Sequence, residues 1–185
     1  GRIASVPIVV LLIAGVNDTS IDRLSFNRFL SVLATLFFTL AQLSDVVDGY
    51  YARKYSVVSS FGKFVDPLAD KLLSMSILIM LIPLQRIAAW FVVLLMAREV
   101  TITALRGMAA SEGVEISASD WGKKKTMIQS FAIGALILHY PFFGVQFHQI
   151  GIVLLWLTLG ISVGSGTHYL WTFFSEILQR KRKEV

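Results

Sequence analysis

Four aspartates carry the most chemistry in this chain. Asp45 and Asp48 lie in S-D-V-V-D-G-Y-Y-A-R, and Asp66 and Asp70 follow in F-G-K-F-V-D-P-L-A-D-K. Spacings of three and four put each pair on one helical face, and a short turn containing Gly62 brings the two faces together. With no cysteine in the chain and no histidine nearby, clustered carboxylates form a hard oxygen site, suited to Mg2+ or Mn2+ and poor for zinc. Mg2+ takes a few carboxylates and leaves positions for phosphate oxygens, so such a site handles phosphate. Gly49 and Ala52 then let a nucleotide approach the helix backbone, and Arg53 offers a fork for phosphate oxygens. The plainer alternative is a salt-bridged helix hairpin at a membrane edge, neutralised by Arg53, Lys63 and Lys71.

A second group is cationic. Arg98 and Arg106 sit inside an apolar run, about 80° apart around a helix axis, with Glu99 beside them. Charges within a membrane helix face protein or a water-filled cavity, so these read as a phosphate pocket joined by Lys123 and Lys125, with Arg2 a weaker member. The competing reading is structural, with Glu99 pairing to Arg106 or to another helix and merely closing the bundle. Lys124 is expected to face lipid headgroups. His139, His148 and His168 share no ligand spacing and read as interfacial or packing residues.

These groups must be positioned by helices in lipid. Of 185 residues, 55% are hydrophobic and 16% charged, and the mean hydropathy is +0.69. A soluble domain is roughly 45 to 50% apolar and about 25% charged, which excludes that class here. Six apolar runs predict six transmembrane helices in one domain, residues 1–185: Ile3 to Val16, Phe26 to about Tyr51, Phe64 to Leu84, Ile87 to Met108, Thr126 to His139, and Ile150 to Phe174. The first and fifth are short of the roughly 20 residues a span needs. The first is therefore expected to begin upstream, and the fifth to be tilted or to extend through Pro141 and Phe143. Four aspartates in such a bundle, at about 2.5 to 3.5 kcal/mol each at a helix centre, demand cationic compensation.

Basic residues concentrate at Arg53, Lys54 and Lys63, at Lys123 to Lys125 and in the tail from Arg180 to Lys183, against Arg23, Arg28 and Arg86 on the other side. That bias predicts both termini and the Asp45 to Asp70 segment at the cytoplasmic face. The net charge of +5 points to anionic headgroups of membrane lipid and not to nucleic acid. Gly160, Gly164 and Gly166 with Ser162 and Ser165 give the last helix a small face suited to tight packing, and leave a homodimer contact open.

The pattern D-x-x-D-G-x-x-A-R, eight residues, then G-x-x-x-D-x-x-x-D resembles the signature of the CDP-alcohol phosphotransferase family. Asp45, Asp48, Gly49, Ala52, Arg53, Gly62, Asp66 and Asp70 fill every specified position. The resemblance implies a six-helix enzyme of the membrane, commonly a homodimer. With two divalent cations it would move a phosphatidyl or similar group from a CDP-linked donor to an alcohol and release CMP. D-P-L-A-D-K-L-L, A-R-E-V-T-I-T-A-L-R with A-A-S-E-G, W-G-K-K-K-T-M-I-Q and the opening R-I-A-S-V-P further resemble the bacterial branch that joins CDP-diacylglycerol to sn-glycerol 3-phosphate. That branch often has Glu where this chain has Gly107.

By this resemblance Asp45, Asp48, Asp66 and Asp70 hold metal and Asp70 is the catalytic base. Asp48, Gly49, Ala52, Arg53 and Gly62 contact CDP. Arg98, Arg106, Lys123, Lys125 and Arg2 bind the acceptor phosphate. The site would open to the cytoplasmic side of a bacterial inner membrane. Inositol phosphate, serine or phosphatidylglycerol are the rival acceptors within the family, and a divalent-cation transporter is the rival outside it.

Overall fold

The computed structural model describes residues 2–18, 23–54, 60–111 and 120–183, with side chains described from residue 5 onward except at 45, 46, 48–54, 60–67, 110, 120, 168, 172–174 and 176–183. Six helices appear among them: α1 (Arg2–Ala14), α2 (Leu24–Lys54), α3 (Ser60–Leu81), α4 (Ala89–Ser111), α5 (Asp120–Leu138) and α6 (Phe147–Lys183). A two-stranded hairpin, β1 (Pro141–Phe142) and β2 (Val145–Gln146), joins α5 to α6. The described residues are all-α apart from that hairpin.

The helices are apolar on the inside and largely apolar on the outside. Val9, Ile13, Phe38, Leu73, Ile77, Leu95, Ile133, Leu136 and Leu155 form one buried core. Phe29, Val93, Val100, Phe131, Trp156 and Trp171 are exposed. A helix hydrophobic all round belongs in a large core or in lipid, and a chain of this size cannot bury these outer side chains in itself. Two helices are long and apolar enough to cross a membrane by length and composition, over Leu24–Ser44 and Phe147–Trp171.

The fifth helix departs from expectation. It gains length at its start, at Asp120, and ends at Leu138, while Pro141 and Phe142 enter the hairpin. Lys123, Lys124 and Lys125 are thereby wound into its first two turns, near the positive end of the helix dipole. Gly62 also differs. It lies inside the first turn of α3 and not in a turn between helices, because the helical pattern continues through F-G-K-F without a breaker.

Helix ends and helix contacts have identifiable causes. At the end of α3, Gln85 adopts φ 56°, and the Arg86 N–H reaches back to the Leu81 carbonyl at 3.1 Å, a left-handed C-cap. His139 ends α5 in the same conformation, φ 56°. The closest α5–α6 approach is at Gly151, where a Cβ would stand 2.7 Å from Leu136 Cγ and 3.1 Å from its backbone N, so only glycine fits. Gly160 and Gly164 would meet nothing within 4 Å, so the tight packing expected of them falls instead to Gly151.

Candidate active site

At one end of the bundle α3, α4, α5 and α6 surround a cavity of about 230 Å³. Asp70, Lys71 and Ser74 come from α3, and Arg98, Glu99, Thr103 and Arg106 from α4. Lys123, Lys125 and Gln129 come from α5, and Ser165 and Tyr169 from α6. Five cationic side chains against two carboxylates leave the cavity wall with a net positive charge. The arrangement brings together five residues that the sequence singled out: Asp70, Arg98, Arg106, Lys123 and Lys125.

Their environments differ. Lys125 is 3% exposed, and its Nζ donates to Glu99 Oε1. The same oxygen accepts from Arg98 Nη1 at 2.9 Å. Arg98 also donates from Nε to the Ser162 carbonyl at 3.2 Å and from Nη2 to Ser165 Oγ at 2.8 Å. Most of its fork is therefore engaged by α6, and it passes Gly166 at ordinary contact distance, a Cβ position there lying 3.7 Å from Arg98 Nε. Glu99 pairs with Lys125 and Arg98, and not with Arg106. The structural and binding readings of this group both apply, since the ion pairs close α4 onto α5 and α6 while lining the cavity.

Arg106 and Lys123 are exposed. The Arg106 guanidinium lies 5.5 Å from the centre of the Tyr169 ring, a cation over an aromatic face at the cavity wall. Lys124 is exposed, with its Nζ 5.2 Å from the Trp121 ring. A Cβ at Gly107 would meet nothing within 4 Å, so the departure from Glu at that position leaves the packing unchanged. Sequence reasoning did not assign Lys71, Ser165 or Tyr169 to this cavity. Lys71, whose Nζ donates to Thr103 Oγ1, was legible only as a neighbour of Asp70. Ser165 was marked only as part of the small face of α6, and Tyr169 sits in an apolar helix with no pattern to mark it.

The aspartate motif is positioned by helical register. Asp45, Asp48, Gly49, Ala52 and Arg53 fall in α2, and Gly62 and Asp66 in α3. Their side chains, and that of Arg2 in α1, lie outside the described residues. Asp70, the described member of the carboxylate set, is half-buried and lines the cavity. Among the described residues no group of three His, Asp or Glu side chains could hold a metal ion. The donor set of the motif is all carboxylate oxygen, which fits a hard divalent ion.

The opposite end of the bundle holds a second polar group that the sequence did not reveal. Arg86 is 1% exposed and pairs bidentately with Asp18, Nε to Oδ2 at 2.8 Å and Nη2 to Oδ1 at 3.0 Å. Its Nη1 donates to the Ile137 carbonyl at 2.7 Å, closing the end of α5, and the Tyr140 hydroxyl donates to Asp18 Oδ1. Burial raises the Asp18 pKa, but hydrogen bonds from Arg86 and Tyr140 more than offset it and hold the carboxyl below its ordinary value. Burial and Asp18 push Tyr140 up to about 12. His139 and His148, which share no ligand spacing in sequence, meet here with Nδ1 atoms 3.2 Å apart.

The fold and the cavity therefore define a helical protein with a cationic site that Asp70, the last aspartate of the motif, lines. The CDP-alcohol phosphatidyltransferase family model matches residues 1–164, and the chain belongs to that membrane-associated family of enzymes. It is 38% identical over 184 residues to the CDP-diacylglycerol--glycerol-3-phosphate 3-phosphatidyltransferase of Bacillus subtilis, covering 95% of this chain and 90% of the relative. The protein of the same name from Rickettsia typhi is 36% identical over 169 residues, covering 91% and 89%. A probable phosphatidylglycerophosphate synthase of Mycobacterium tuberculosis is 39% identical over 139 residues, covering 75% and 65%.

Proposed function

We propose that the protein transfers a phosphatidyl group from CDP-diacylglycerol to sn-glycerol 3-phosphate, giving phosphatidylglycerophosphate and CMP. The observation that carries this reading is a single cavity lined both by Asp70 and by a surplus of cations. An acceptor whose phosphate binds Arg106, Lys123 and the Arg98–Lys125 group presents its hydroxyl within the same small space as the Asp70 carboxylate. Serine and phosphatidylglycerol have no phosphomonoester to use that surplus. Inositol phosphate does, and the names of the relatives favour the glycerol ester.

In this mechanism Asp70 takes the proton of the acceptor's primary hydroxyl. The oxygen attacks the lipid-side phosphorus of the donor in line, forming one O–P bond as the bond to CMP breaks. Two divalent ions, Mg2+ or Mn2+, held by Asp45, Asp48, Asp66 and Asp70, would neutralise the diphosphate. Gly49, Ala52 and Gly62 leave space for the cytidine diphosphate, and Arg53 grips its phosphates. Arg2 stands as a further phosphate contact.

The same reading places all six helices across a bacterial inner membrane as one domain, with the cavity and both termini cytoplasmic, and the chain as a homodimer. The basic residues clustered at the cavity end support that orientation. Donor acyl chains then stay in lipid while the headgroup reaches the aspartates.

The test is CMP release from CDP-diacylglycerol with a panel of acceptors. Glycerol 3-phosphate should be used well above inositol phosphate, serine and phosphatidylglycerol, and metal flux in liposomes without CMP release would instead favour a transporter. Asp70→Asn should abolish turnover yet keep donor binding within about tenfold, because a general base acts mainly in the transition state. Complete loss of donor binding would make Asp70 chiefly a metal ligand.

A further inference from the structure

Among the described residues two tyrosines are buried near polar groups. Tyr140 is 7% exposed, and its hydroxyl donates to Asp18. Tyr169 is 8% exposed, yet its hydroxyl has no hydrogen-bond partner among the described residues. Buried phenol hydroxyls are almost always paired, so an orphan asks for an explanation. Tyr169 lines the cationic cavity. Its ring packs on Ile102, Leu105 and Ala109 and carries the Arg106 guanidinium over its face.

We infer that Tyr169 binds substrate: its hydroxyl donates a hydrogen bond to the phosphate of the acceptor, and its ring holds Arg106 beside the same phosphate. A phosphate dianion offers only acceptors, and the hydroxyl is a donor lacking one. The neighbouring Arg106 guanidinium is likewise a donor without acceptor capacity, so an anion serves both groups together. The ring accounts for the arginine's placement, since a cation over an aromatic face is held without using its hydrogen-bonding fork. This inference rests on the cavity being the acceptor site.

Tyr169→Phe separates the two roles, because it keeps the ring and removes one oxygen. The KM for glycerol 3-phosphate should rise on the order of tenfold, with the KM for CDP-diacylglycerol unchanged. The melting temperature in detergent should stay the same or rise, since the substitution removes an unpaired buried polar atom. Calorimetric titration with inorganic phosphate should show a parallel loss of affinity. An unchanged acceptor KM and phosphate affinity would make Tyr169 a packing residue, and a raised donor KM would move it to the other substrate. Were the wild-type chain to release no CMP with glycerol 3-phosphate while Tyr169→Phe still weakened phosphate binding, the proposed reaction would fall and the anion site would stand.

Discussion

Arg86 and Arg98 are two inward-facing arginines at opposite ends of the bundle, and their partners differ in kind. Arg86 is closed: a bidentate carboxylate and the terminal carbonyls of α5 consume its donors, and Tyr140 completes the Asp18 shell. Arg98 is held as firmly, by Glu99, Ser162 and Ser165, but it borders open space with Arg106, Lys123 and an unpaired tyrosine hydroxyl. A satisfied buried charge network rigidifies a fold, whereas a net cationic cavity with an unpaired buried hydroxyl is suited to receive an anion.

The largest effect that comparison predicts is on stability. Arg86→Met leaves the Asp18 carboxylate and the α5 carbonyls without their donor, and breaking a buried pair from one side costs about 3 to 5 kcal/mol. The melting temperature in detergent should fall steeply, while the acceptor KM of surviving enzyme stays at the wild-type value. Adding Asp18→Leu should recover part of the loss, because the stranded charge is then gone.

Next in size is the division of labour within the cavity. Arg106→Ala should raise the acceptor KM on the order of tenfold to a hundredfold with little change in melting temperature. Arg98→Ala should raise KM and also lower the melting temperature, since three of its hydrogen bonds tie α4 to itself and to α6. Equal behaviour of the two variants in paired kinetic and melting measurements would erase the distinction drawn between them.

The smallest effect is a pH dependence at the closed end. Burial, then the nearby Arg86 charge, lowers His139 from 6.5 to about 4. Between those values the unfolded chain binds the proton and the folded chain does not, so stability rises with pH across that window. Melting temperature should therefore drop as pH falls from 6.5 toward 4, and His139→Gln should flatten the slope. Asp18, held below its ordinary value, adds a further loss only at pH below about 4, as its protonation removes the pair with Arg86.

The open end was legible in the sequence because its chemistry follows short-range register. Asp70, Arg98, Arg106, Lys123 and Lys125 announce themselves as charges in apolar runs, and helical periodicity places them on usable faces. The closed end was not, because Asp18, Arg86 and Tyr140 come from three loops separated by dozens of residues, and no spacing encodes their meeting. His139 and His148 meet for the same reason, across a hairpin whose turn the apolar pattern hid. Helix ends were misjudged where charge interrupts hydropathy without interrupting the helix, as at Asp120 to Lys125. Gly160 and Gly164 show the converse, small residues whose Cβ positions meet nothing within 4 Å in the same chain.

The close approach at Gly151 makes α6 a lever whose fulcrum is far from its working end. Ser162, Ser165 and Tyr169 lie 11 to 18 residues along the same helix, about 17 to 27 Å away at the helical rise. Any side chain at position 151 would pry α6 away from Leu136, and a rigid helix converts a small displacement there into a tilt that reaches the grip on Arg98. The geometry of the cationic cavity is thus calibrated by a missing methyl group at the other end of the bundle.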